Sequence, residues 1–339
     1  MGRLTYECTL ENIAKYESKA EDMADGDETE DAAIEVEIEP LYLYYDLEAI
    51  FQYVVVTDPT NTEDSIVMAA IMCDGLKVMV TMDHEIAEER RVDEPTDSRF
   101  DELDTHMGSD GVLYVKTGYH QHDFLDDFAM VVKIFDPDFV FAWNGIGYDN
   151  IMLCRMYDAC MHGSLLPDPM STTGDYLKQF GIVRSNRMKG LYDMHLAHSV
   201  EGMHWCDLMI LYSNIYKIEQ QKGYSLSRVA KSCGIADKHS VSYTEISEAV
   251  VALRYWHRYE TTEDYCETNA LTLSPNGRKP SVKYPNRRLQ FIIDKEKAKS
   301  IMRRTYDYCM HDTEIMLEIV SKKNIIEQGF VICDIVGLN

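Results

Sequence analysis

Residues 41–50, LYLYYDLEAI, combine strand-forming residues with two carboxylates, Asp46 and Glu48, placed two positions apart. Side chains two apart on a β-strand point to the same face of the sheet, so this strand would bring two negative charges together. The Leu, Tyr and Ile residues around them suit a hydrophobic core. The two acids therefore either lie on a solvated face or flank a positively charged group, and the pair alone favours the solvated face.

The rest of the chain predicts an α/β fold. Three strand-like runs near the start, the last two joined by the turn CDG, predict an antiparallel meander. An apolar strand, a Gly-containing turn and a helix then form an α/β unit, so we expect a mixed sheet flanked by helices. The predicted strands are Leu41–Glu48, Ser65–Cys73, Leu76–Met82, 111–117 and 139–143; the predicted helices are Asp123–Phe135, one from about Tyr148, Trp205–Tyr216, Tyr224–Gly234, Tyr243–Arg258 and Lys295–Lys322.

The composition of the 339 residues, 45% hydrophobic and 27% charged, is typical of a soluble globular protein with a large core. No apolar run reaches the roughly 18 residues of a membrane span, and MGRLTYECTL lacks the apolar segment of a signal peptide. The nine cysteines include no C-x-x-C pair, which argues against a zinc ribbon and suits a reducing compartment. We therefore expect a cytoplasmic protein without a membrane partner.

The net charge of −25 argues against a nucleic-acid partner, but the charge is unevenly distributed. Residues 21–39 hold ten acidic residues and no basic ones, and a second acidic stretch covers residues 83–104. Such runs are most often solvated, so we expect residues 1–39 to form a flexible acidic arm. Arg278–Arg304 instead holds ten Lys or Arg residues and two acids. This basic segment predicts either a solvated helix face or a contact for DNA or RNA.

Two later segments supply further acids. In PDFVFAWNGIGYDNIML (137–153), Asp149 follows a buried strand and opens a helix, where an acid is often only a dipole partner. In YDYCMHD (306–312), Tyr308 and Asp312 lie four apart and share one helix face, usually as a surface pair. Brought together, the four carboxylates would repel one another unless divalent cations held them. Two such ions about 4 Å apart can catalyse in-line displacement at phosphorus.

YYDLEAI, WNGIGYDNIML and YDYCMHD resemble, in this order, the three motifs of the proofreading 3′–5′ exonuclease domain of family B DNA polymerases. That domain belongs to the DEDD superfamily, so the resemblance implies a ribonuclease H-like fold. Tyr308-Cys309 followed by Asp312 is similar to the pattern of the tyrosine branch. The resemblance covers roughly residues 41–330 and includes the spacer segments YSLSRVAKSCGI and KHSVSYTEI. Its most specific part is the second motif, in which Pro137-Asp138, Trp143-Asn144 and Tyr148-Asp149 lie where the family places their counterparts.

The chain also departs from the family pattern. The spacer between the second and third motifs is longer, with insertions expected near residues 165–186 and 259–286. We expect the domain that usually precedes the first motif to be reduced to the acidic arm. No polymerase palm signature follows the third motif, so we expect that the chain does not synthesise DNA by itself. The expected organisation is an exonuclease domain over residues 40–330 and an apolar tail, 331–339, that docks a partner or completes the core.

The resemblance implies an active nuclease with two divalent ions, Mg²⁺ or Mn²⁺. By position, Asp46 would bridge both ions, and Glu48 and Asp312 would complete the site on the nucleophile side. Asp149 would hold the second ion, beside the leaving 3′ oxygen, through water. Tyr308 would orient the attacking water.

The resemblance also implies substrate contacts, by Asn144 and Tyr148 of the second motif and by Leu47 of the first. Residue chemistry leaves alternatives open, because Asn144 can equally form a turn before the following glycine and Leu47 can fill the core. His311 is a rival for the catalytic role, but it lies beside Asp312 and is expected on the helix surface. The basic segment, with its tip SPNGRKPS, would help to guide the nucleic-acid strand.

The implied function is removal of nucleotides from the single-stranded 3′ end of DNA. It would be the proofreading part of a family B type DNA polymerase whose polymerase half is a separate subunit. A virus is the setting that suits such a split polymerase best, with the protein in the host cytoplasm. The alternatives are a freestanding exonuclease of DNA or RNA, against which the second and third motifs argue, and an interaction subunit of a replication complex with a secondary nuclease site.

Overall fold

A computed structural model describes residues 40–50, 65–118, 120–150, 152, 153, 156, 182–188, 195–200, 203–216, 223–235, 241–253 and 293–336. The described residues between Pro40 and Ile325 belong to one unit, which contains every residue of the site described below. The predicted acidic arm, the insertion near residues 259–286 and the basic tip lie outside the described residues. The insertion near 165–186 does so too, apart from residues 182–186.

A seven-stranded mixed sheet is the centre of this unit. Its strands are β1 (Tyr42–Ile50), β2 (Ser65–Cys73), β3 (Leu76–Thr81), β4 (Thr105–Met107), β5 (Leu113–Lys116), β6 (Phe139–Ala142) and β9 (His204–Asp207), and their spatial order is β4-β5-β3-β2-β1-β6-β9. The first three strands form the predicted antiparallel meander. Strand β6 pairs parallel to β1, and β9 pairs parallel to β6. A separate antiparallel pair consists of β7 (Ile182–Met188) and β8 (His195–Val200).

Helices pack on both faces of the sheet. The helices of this unit are α1 (His84–Glu89), α2 (Gln121–Phe135), α3 (Leu208–Ile215), α4 (Leu226–Ser232), α5 (residues 243–253) and α6 (Lys295–Lys323), and a further helix begins at Asp149. Helix α7 (Ile325–Val336) belongs, from Ile326 onward, to a second compact unit. The prediction of an α/β fold, with a mixed sheet flanked by helices, is therefore confirmed. None of the helices in the described parts of the chain has the length and apolar character that a bilayer crossing requires.

The two faces of β1 belong to two different hydrophobic cores. Tyr45 and Leu47 point into the core that contains α2 and the helix starting at Asp149. Asp46 and Glu48 point the other way, toward the core that contains α5 and α6, and their cross-strand partners on β2 belong to that second core. The alternation of a β-strand thus places the two acids on the face that α6 covers.

One predicted element is wrong in part. Residues Trp205–Asp207 were expected to be helical, but they form strand β9 beside β6, and helix α3 begins only at Leu208. The apolar run around them is too short for its periodicity to distinguish a buried strand from a helix. Asp207 decides the boundary, because its side chain accepts hydrogen bonds from the main-chain N–H groups of Met209 and Ile210 and so caps α3.

The second acidic stretch is not the solvated loop that its charge suggests. Its first part forms α1, whose acidic side chains pair with basic residues at the start of α6. The Nζ–Oε1 distances are 3.1 Å for Lys295–Glu85, 2.6 Å for Lys299–Glu85 and 3.1 Å for Lys299–Glu89, and Arg303 lies 2.7 Å from Glu89. The described part of the basic segment is therefore a helix face that the acidic stretch largely neutralises.

Candidate active site

The site begins where β1 continues beyond the end of its neighbour β6. The β1–β6 ladder covers only Tyr42–Tyr44 of β1, so Asp46 and Glu48 lie past the carboxyl end of β6. On the other side, β1 still pairs with β2, with Asp46 opposite Ala70. Ligands of α/β sheets commonly bind beyond the carboxyl ends of parallel strands. Sheet topology thus places the two acids at the position where a site is expected.

Helix α6 brings the third motif onto this part of β1. Cys309 is fully buried, and its thiol donates to the main-chain oxygen of Asp46 over 3.6 Å. One carboxylate oxygen of Asp46, one of Glu48 and the Cys309 sulfur all lie within 4.8 Å of one another. The small residues Cys309 and Ala70 let the helix approach the sheet closely. This contact carries Tyr308 and the buried Asp312 toward the two acids.

The thiol of Cys309 supports the site without offering a ligand for a hard cation. Burial, together with the negative charges of Asp46 and Glu48, raises the pKa of Cys309 well above its ordinary value. The sulfur therefore keeps its proton and donates to the main chain. Hard divalent cations also prefer oxygen to sulfur. We assign the metal-binding chemistry of this group to the two carboxylates.

Asp149 starts the helix whose next turns pack in the other core. It is buried at the start of its helix, where its carboxylate accepts hydrogen bonds from its own main-chain N–H and from that of Leu47. Burial is the main cause that raises its pKa well above the ordinary value, and the negative charge of Asp207 adds to the effect. Asp149 is thus tied to the middle of the first motif, and a nearby cation would favour its charged form.

Asp207 is a residue of this region that the sequence analysis missed. It is buried at the end of β9, and its Oδ1 accepts from the main-chain N–H of Asn144 at 3.2 Å while its Oδ2 accepts from that of Ile146 at 3.1 Å. Asp207 therefore holds the loop that leads from β6 to Asp149. The signal was present as an Asp between a short apolar run and a helix, which is an N-cap pattern. The helix predicted from Trp205 obscured it.

The loop itself has the conformation of a tight turn. Asn144 has a φ of +65°, and its carbonyl accepts from the N–H groups of Gly147 and Tyr148, both at 2.9 Å. A Cβ on Gly147 would lie 2.4 Å from the Asn144 side-chain oxygen, so any other residue there would require the Asn144 side chain to shift. Asn144 is therefore the turn former that its chemistry allowed. A hydrogen bond from the Tyr45 hydroxyl to Asn150 fixes the following helix to β1.

The other residues predicted to contact substrate lie partly inside the protein. Leu47 is 5% exposed and belongs to the core around α2, which favours the packing alternative over a substrate contact. Tyr148 is half-buried and packs against the same core. His311 lies on the surface of α6, as expected, with its Nδ1 3.3 Å from Glu314.

Two tyrosines share the space around the acids. Burial raises the pKa of Tyr308 well above its ordinary value, and the charges of Asp312, Glu48 and Asp46 raise it further. Tyr243 on α5, which the sequence analysis left without a role, has its pKa raised to about 12 by burial and by four carboxylates. The four carboxylates that raise the pKa of the Tyr243 hydroxyl are those of Glu48, Asp46, Asp149 and Asp312. All four predicted acids thus lie within electrostatic reach of one point.

The donor set fits divalent cations of the Mg²⁺ and Mn²⁺ class, which prefer carboxylate oxygen. Two unit charges about 4.8 Å apart, the bound on the Asp46–Glu48 oxygens, repel by roughly 3 kcal/mol at an effective dielectric constant of about 20. This cost exceeds the roughly 1 kcal/mol that a typical hydrogen bond contributes. A cation between the acids removes the repulsion. The residues that could hold such ions are Asp46, Glu48, Asp149 and Asp312.

Comparison with known proteins agrees with this geometry. The family described as DNA polymerase family B, exonuclease domain, matches residues 4–229, about two thirds of the chain. The matched range contains the first two motifs and Asp207. The third motif lies beyond it and rests on the sequence pattern and on the packing of α6 against β1. No curated protein matches the chain.

Proposed function

Since the chain belongs to the exonuclease domain family of the family B DNA polymerases, we propose that it removes nucleotides from the single-stranded 3′ end of DNA with two divalent metal ions. The observation that carries this proposal is the contact of the first motif with the third: carboxylate oxygens of Asp46 and Glu48 lie within 4.8 Å of each other and of the sulfur of Cys309, on the helix that also carries the buried Asp312. Glu48, Asp149 and Asp312 are buried and Asp46 is half-buried, which fits a site that needs cations and not a solvated face. The family assignment and the carboxylate ligands, which suit divalent metal ions, therefore support the same function.

The proposed role of each residue follows from its position in the fold. Asp46 and Glu48 on β1 would hold ions together with Asp312 on α6, and Asp149 would hold an ion from the opposite core. When bound, the ions supply the activation of water and the neutralisation of charge on the phosphate and the leaving oxygen. The Tyr308 hydroxyl, which stays protonated among these charges, would orient the attacking water through a hydrogen bond.

The activity can be tested by digestion of a primer that carries a mismatch at its 3′ end and a label at its 5′ end. We expect a ladder of shortened 5′-labelled products with Mg²⁺ or Mn²⁺, no digestion with EDTA, and loss of activity in Asp46→Ala. The matched control is Glu318→Gln, because Glu318 is an exposed acid on α6 that pairs only with the surface residue Lys322 among the described residues. Undiminished digestion by Asp46→Ala would contradict the assignment.

The family also supports a finer proposal about the biological setting. We propose that the exonuclease proofreads for a DNA polymerase of the B type that acts as its partner. Affinity capture of the tagged chain from its native source should recover an activity that incorporates nucleotides on a primed template. Recovery of the exonuclease without any polymerase activity would favour the freestanding enzyme. Equal digestion of RNA and DNA 3′ ends would favour it as well.

A further inference from the structure

Arg90 is the C-cap residue of α1, and its guanidinium lies between the sheet and α6. Its side chain is only 18% exposed, although the guanidinium is always charged. Burial of a charge is costly unless the charge is paired and hydrogen-bonded. Neither the proposed metal binding nor the proposed orientation of water uses Arg90, so the contacts of this buried charge call for an explanation of their own.

On the side of the sheet, Arg90 contacts β5 and the turn that leads into it. Its Nη1 donates to Asp110 Oδ2 at 2.7 Å and to the Tyr114 hydroxyl at 3.2 Å. Asp110 is itself fixed, because it accepts from the Tyr114 hydroxyl at 2.7 Å and from the main-chain N–H of Val112 at 3.2 Å. Tyr114 is almost fully buried on β5. The guanidinium is therefore attached to an ordered part of the sheet.

On its other side, the same guanidinium contacts one turn of α6 at three points. Its Nη2 donates to the main-chain oxygen of Arg303 at 3.1 Å, and its Nη1 lies 2.8 Å from Asp307 Oδ1. Its Cζ lies 5.7 Å from the centre of the Tyr306 ring. Residues three and four apart lie on the same helix face, so one side chain can reach all three. Contacts at three points oppose both rotation of a helix about its axis and translation along it.

The hydroxyl of Tyr306 attaches the same turn of α6 to the end of β3. It donates to the main-chain oxygen of Asp83 at 3.0 Å and shares a hydrogen bond with the Thr81 hydroxyl. The contacts of this turn end directly before the third motif tyrosine, because Asp307 immediately precedes Tyr308. The rotation of this turn about the helix axis therefore determines where the Tyr308 hydroxyl lies.

A small rotation of α6 would be enough to disturb the site. Side chains reach about 5–6 Å from a helix axis, so a rotation of about 10° moves their tips by about 1 Å. A misplacement of about 1 Å can lower a reaction rate about 100-fold. Hydrophobic packing is non-directional, whereas a guanidinium has N–H donors in fixed directions. Packing can thus hold α6 against the sheet while Arg90 fixes its rotation.

We propose that Arg90 is a positioning residue, which fixes the rotation of α6 and thereby places the Tyr308 hydroxyl for the reaction. This inference rests on the proposed function and deepens it, because it assigns a role in the same reaction to a residue outside the three motifs. The effect passes through Asp307 and Tyr306. Loss of the guanidinium should therefore slow the chemical step and leave the affinity for the strand unchanged.

The test is a double-mutant cycle with the full chain, measured as the single-turnover rate of DNA digestion with Mg²⁺ at a temperature at which each variant is folded. Arg90→Met keeps the apolar part of the side chain and removes the guanidinium, and it should lower the rate by about 10- to 100-fold. In the Tyr308→Phe background the same substitution should have little further effect, since residues that act through one another are not additive. The Kd for a fluorescent oligothymidine, measured in EDTA, should stay close to that of the wild type.

Two further variants complete the experiment. Arg90→Lys keeps the charge that the neighbouring acids require but loses the fixed directions of the donors, so it should fold and still digest DNA more slowly than the wild type. It decides the question if Arg90→Met does not fold. Lys77→Met is the matched control, because Lys77 also joins a strand of the sheet to α6, through an ion pair of 2.6 Å with Glu314. This control should keep the wild-type rate.

Several results would overturn the inference while leaving the proposed function intact. A wild-type rate in Arg90→Lys, or equal rates in Arg90→Met and Lys77→Met, would show that directed contacts from Arg90 are not needed. If Arg90→Met slows Tyr308→Phe as much as it slows the wild type, Arg90 does not act through Tyr308. A rise in Kd that matches the fall in rate would make Arg90 a binding residue. A wild-type chain that digests no DNA with Mg²⁺ or Mn²⁺ would instead overturn the proposed function, and this inference with it.

Discussion

At the scale of single residues, the site depends on acids whose charge is costly in the places they occupy. Asp46 and Glu48 could be recognised from their spacing on a strand, but that spacing favoured a solvated face. Only the later acids of the second and third motifs changed the interpretation. Asp207 could not be assigned from its residue type, because an acid that caps a helix and an acid that binds a ligand have the same local pattern. The hydrogen bonds from the Asn144 loop distinguish the two.

The raised pKa of Asp149 predicts a specific dependence of stability on pH. A carboxyl group whose pKa is raised by folding stabilises the fold below its ordinary pKa near 4, and this contribution is lost as the pH rises through the raised value. The contribution of Asp149 to the stability of the metal-free protein should therefore fall as the pH increases above about 4. A bound cation favours the charged carboxylate and should offset that loss.

The measurement is the melting temperature between mildly acidic and mildly alkaline pH, with and without Mg²⁺. We expect the stabilisation by Mg²⁺ to grow as the pH rises, and we expect Asp149→Asn to reduce this growth. A stabilisation by Mg²⁺ that is constant with pH, or larger at acidic pH, would show that the buried carboxyl does not respond as described.

The hydroxyl of Tyr308 gives a second prediction at this scale. If it orients the attacking water, Tyr308→Phe should lower the single-turnover rate by about 100-fold, since misplacement of a reacting group costs about that much. Affinity for the strand in EDTA should stay close to that of the wild type. Tyr216→Phe is the control, because it removes the same group, a tyrosine hydroxyl, from a residue whose hydroxyl donates to the main-chain oxygen of Lys323 at 3.1 Å. A Tyr308→Phe rate equal to that of the control would remove Tyr308 from the mechanism.

At the scale of elements, the order and type of most helices and strands could be predicted from the sequence. Strand β2 has the predicted bounds, Ser65–Cys73, because an apolar run ends at a clear turn signal. Helix α6 extends one residue beyond the prediction, to Lys323. Strand β9 could not be predicted, because it has only four residues, of which only Asp207 is buried, and it forms through its pairing with β6. Long-range pairing of this kind leaves no periodic signal.

The contact of α6 with β1 makes the next prediction. Cys309 is fully buried against the Asp46 main chain, so Cys309→Leu should overpack the contact and move α6 away from the strand. Overpacking of a core typically costs about 1–3 kcal/mol. We expect the single-turnover rate to fall more than this loss of stability explains, since Tyr308 and Asp312 move with the helix. Chemical denaturation and digestion of the same preparations provide the two quantities.

Cys309→Ala is the matched variant for this test. It removes the thiol without adding volume, so it should keep α6 in place and retain most of the activity. A Cys309→Leu protein that digests DNA at the wild-type rate would show that the close approach of α6 does not position the third motif.

At the scale of the whole molecule, the site exists only because distant parts of the chain meet. The four acids come from the first, second and third motifs, and the elements that carry them pack in the two cores of the sheet. Sequence spacing alone could identify each motif, but it contained no information about their distance in space. The overall charge of −25 was similarly misleading, because part of it is neutralised internally, as between α1 and α6, and part of it forms the site.

The central claim is that these acids act as one metal-dependent unit, and single-turnover digestion of DNA by Asp149→Asn, Asp312→Asn and the double variant tests it most directly. Residues that act as a unit have effects that do not add. We therefore predict that each single variant loses roughly 100-fold or more and that the double variant is no slower than the slower single variant. Glu318→Gln, prepared in parallel, should keep the wild-type rate. Small losses that multiply in the double variant, or digestion that continues without either acid, would contradict the account.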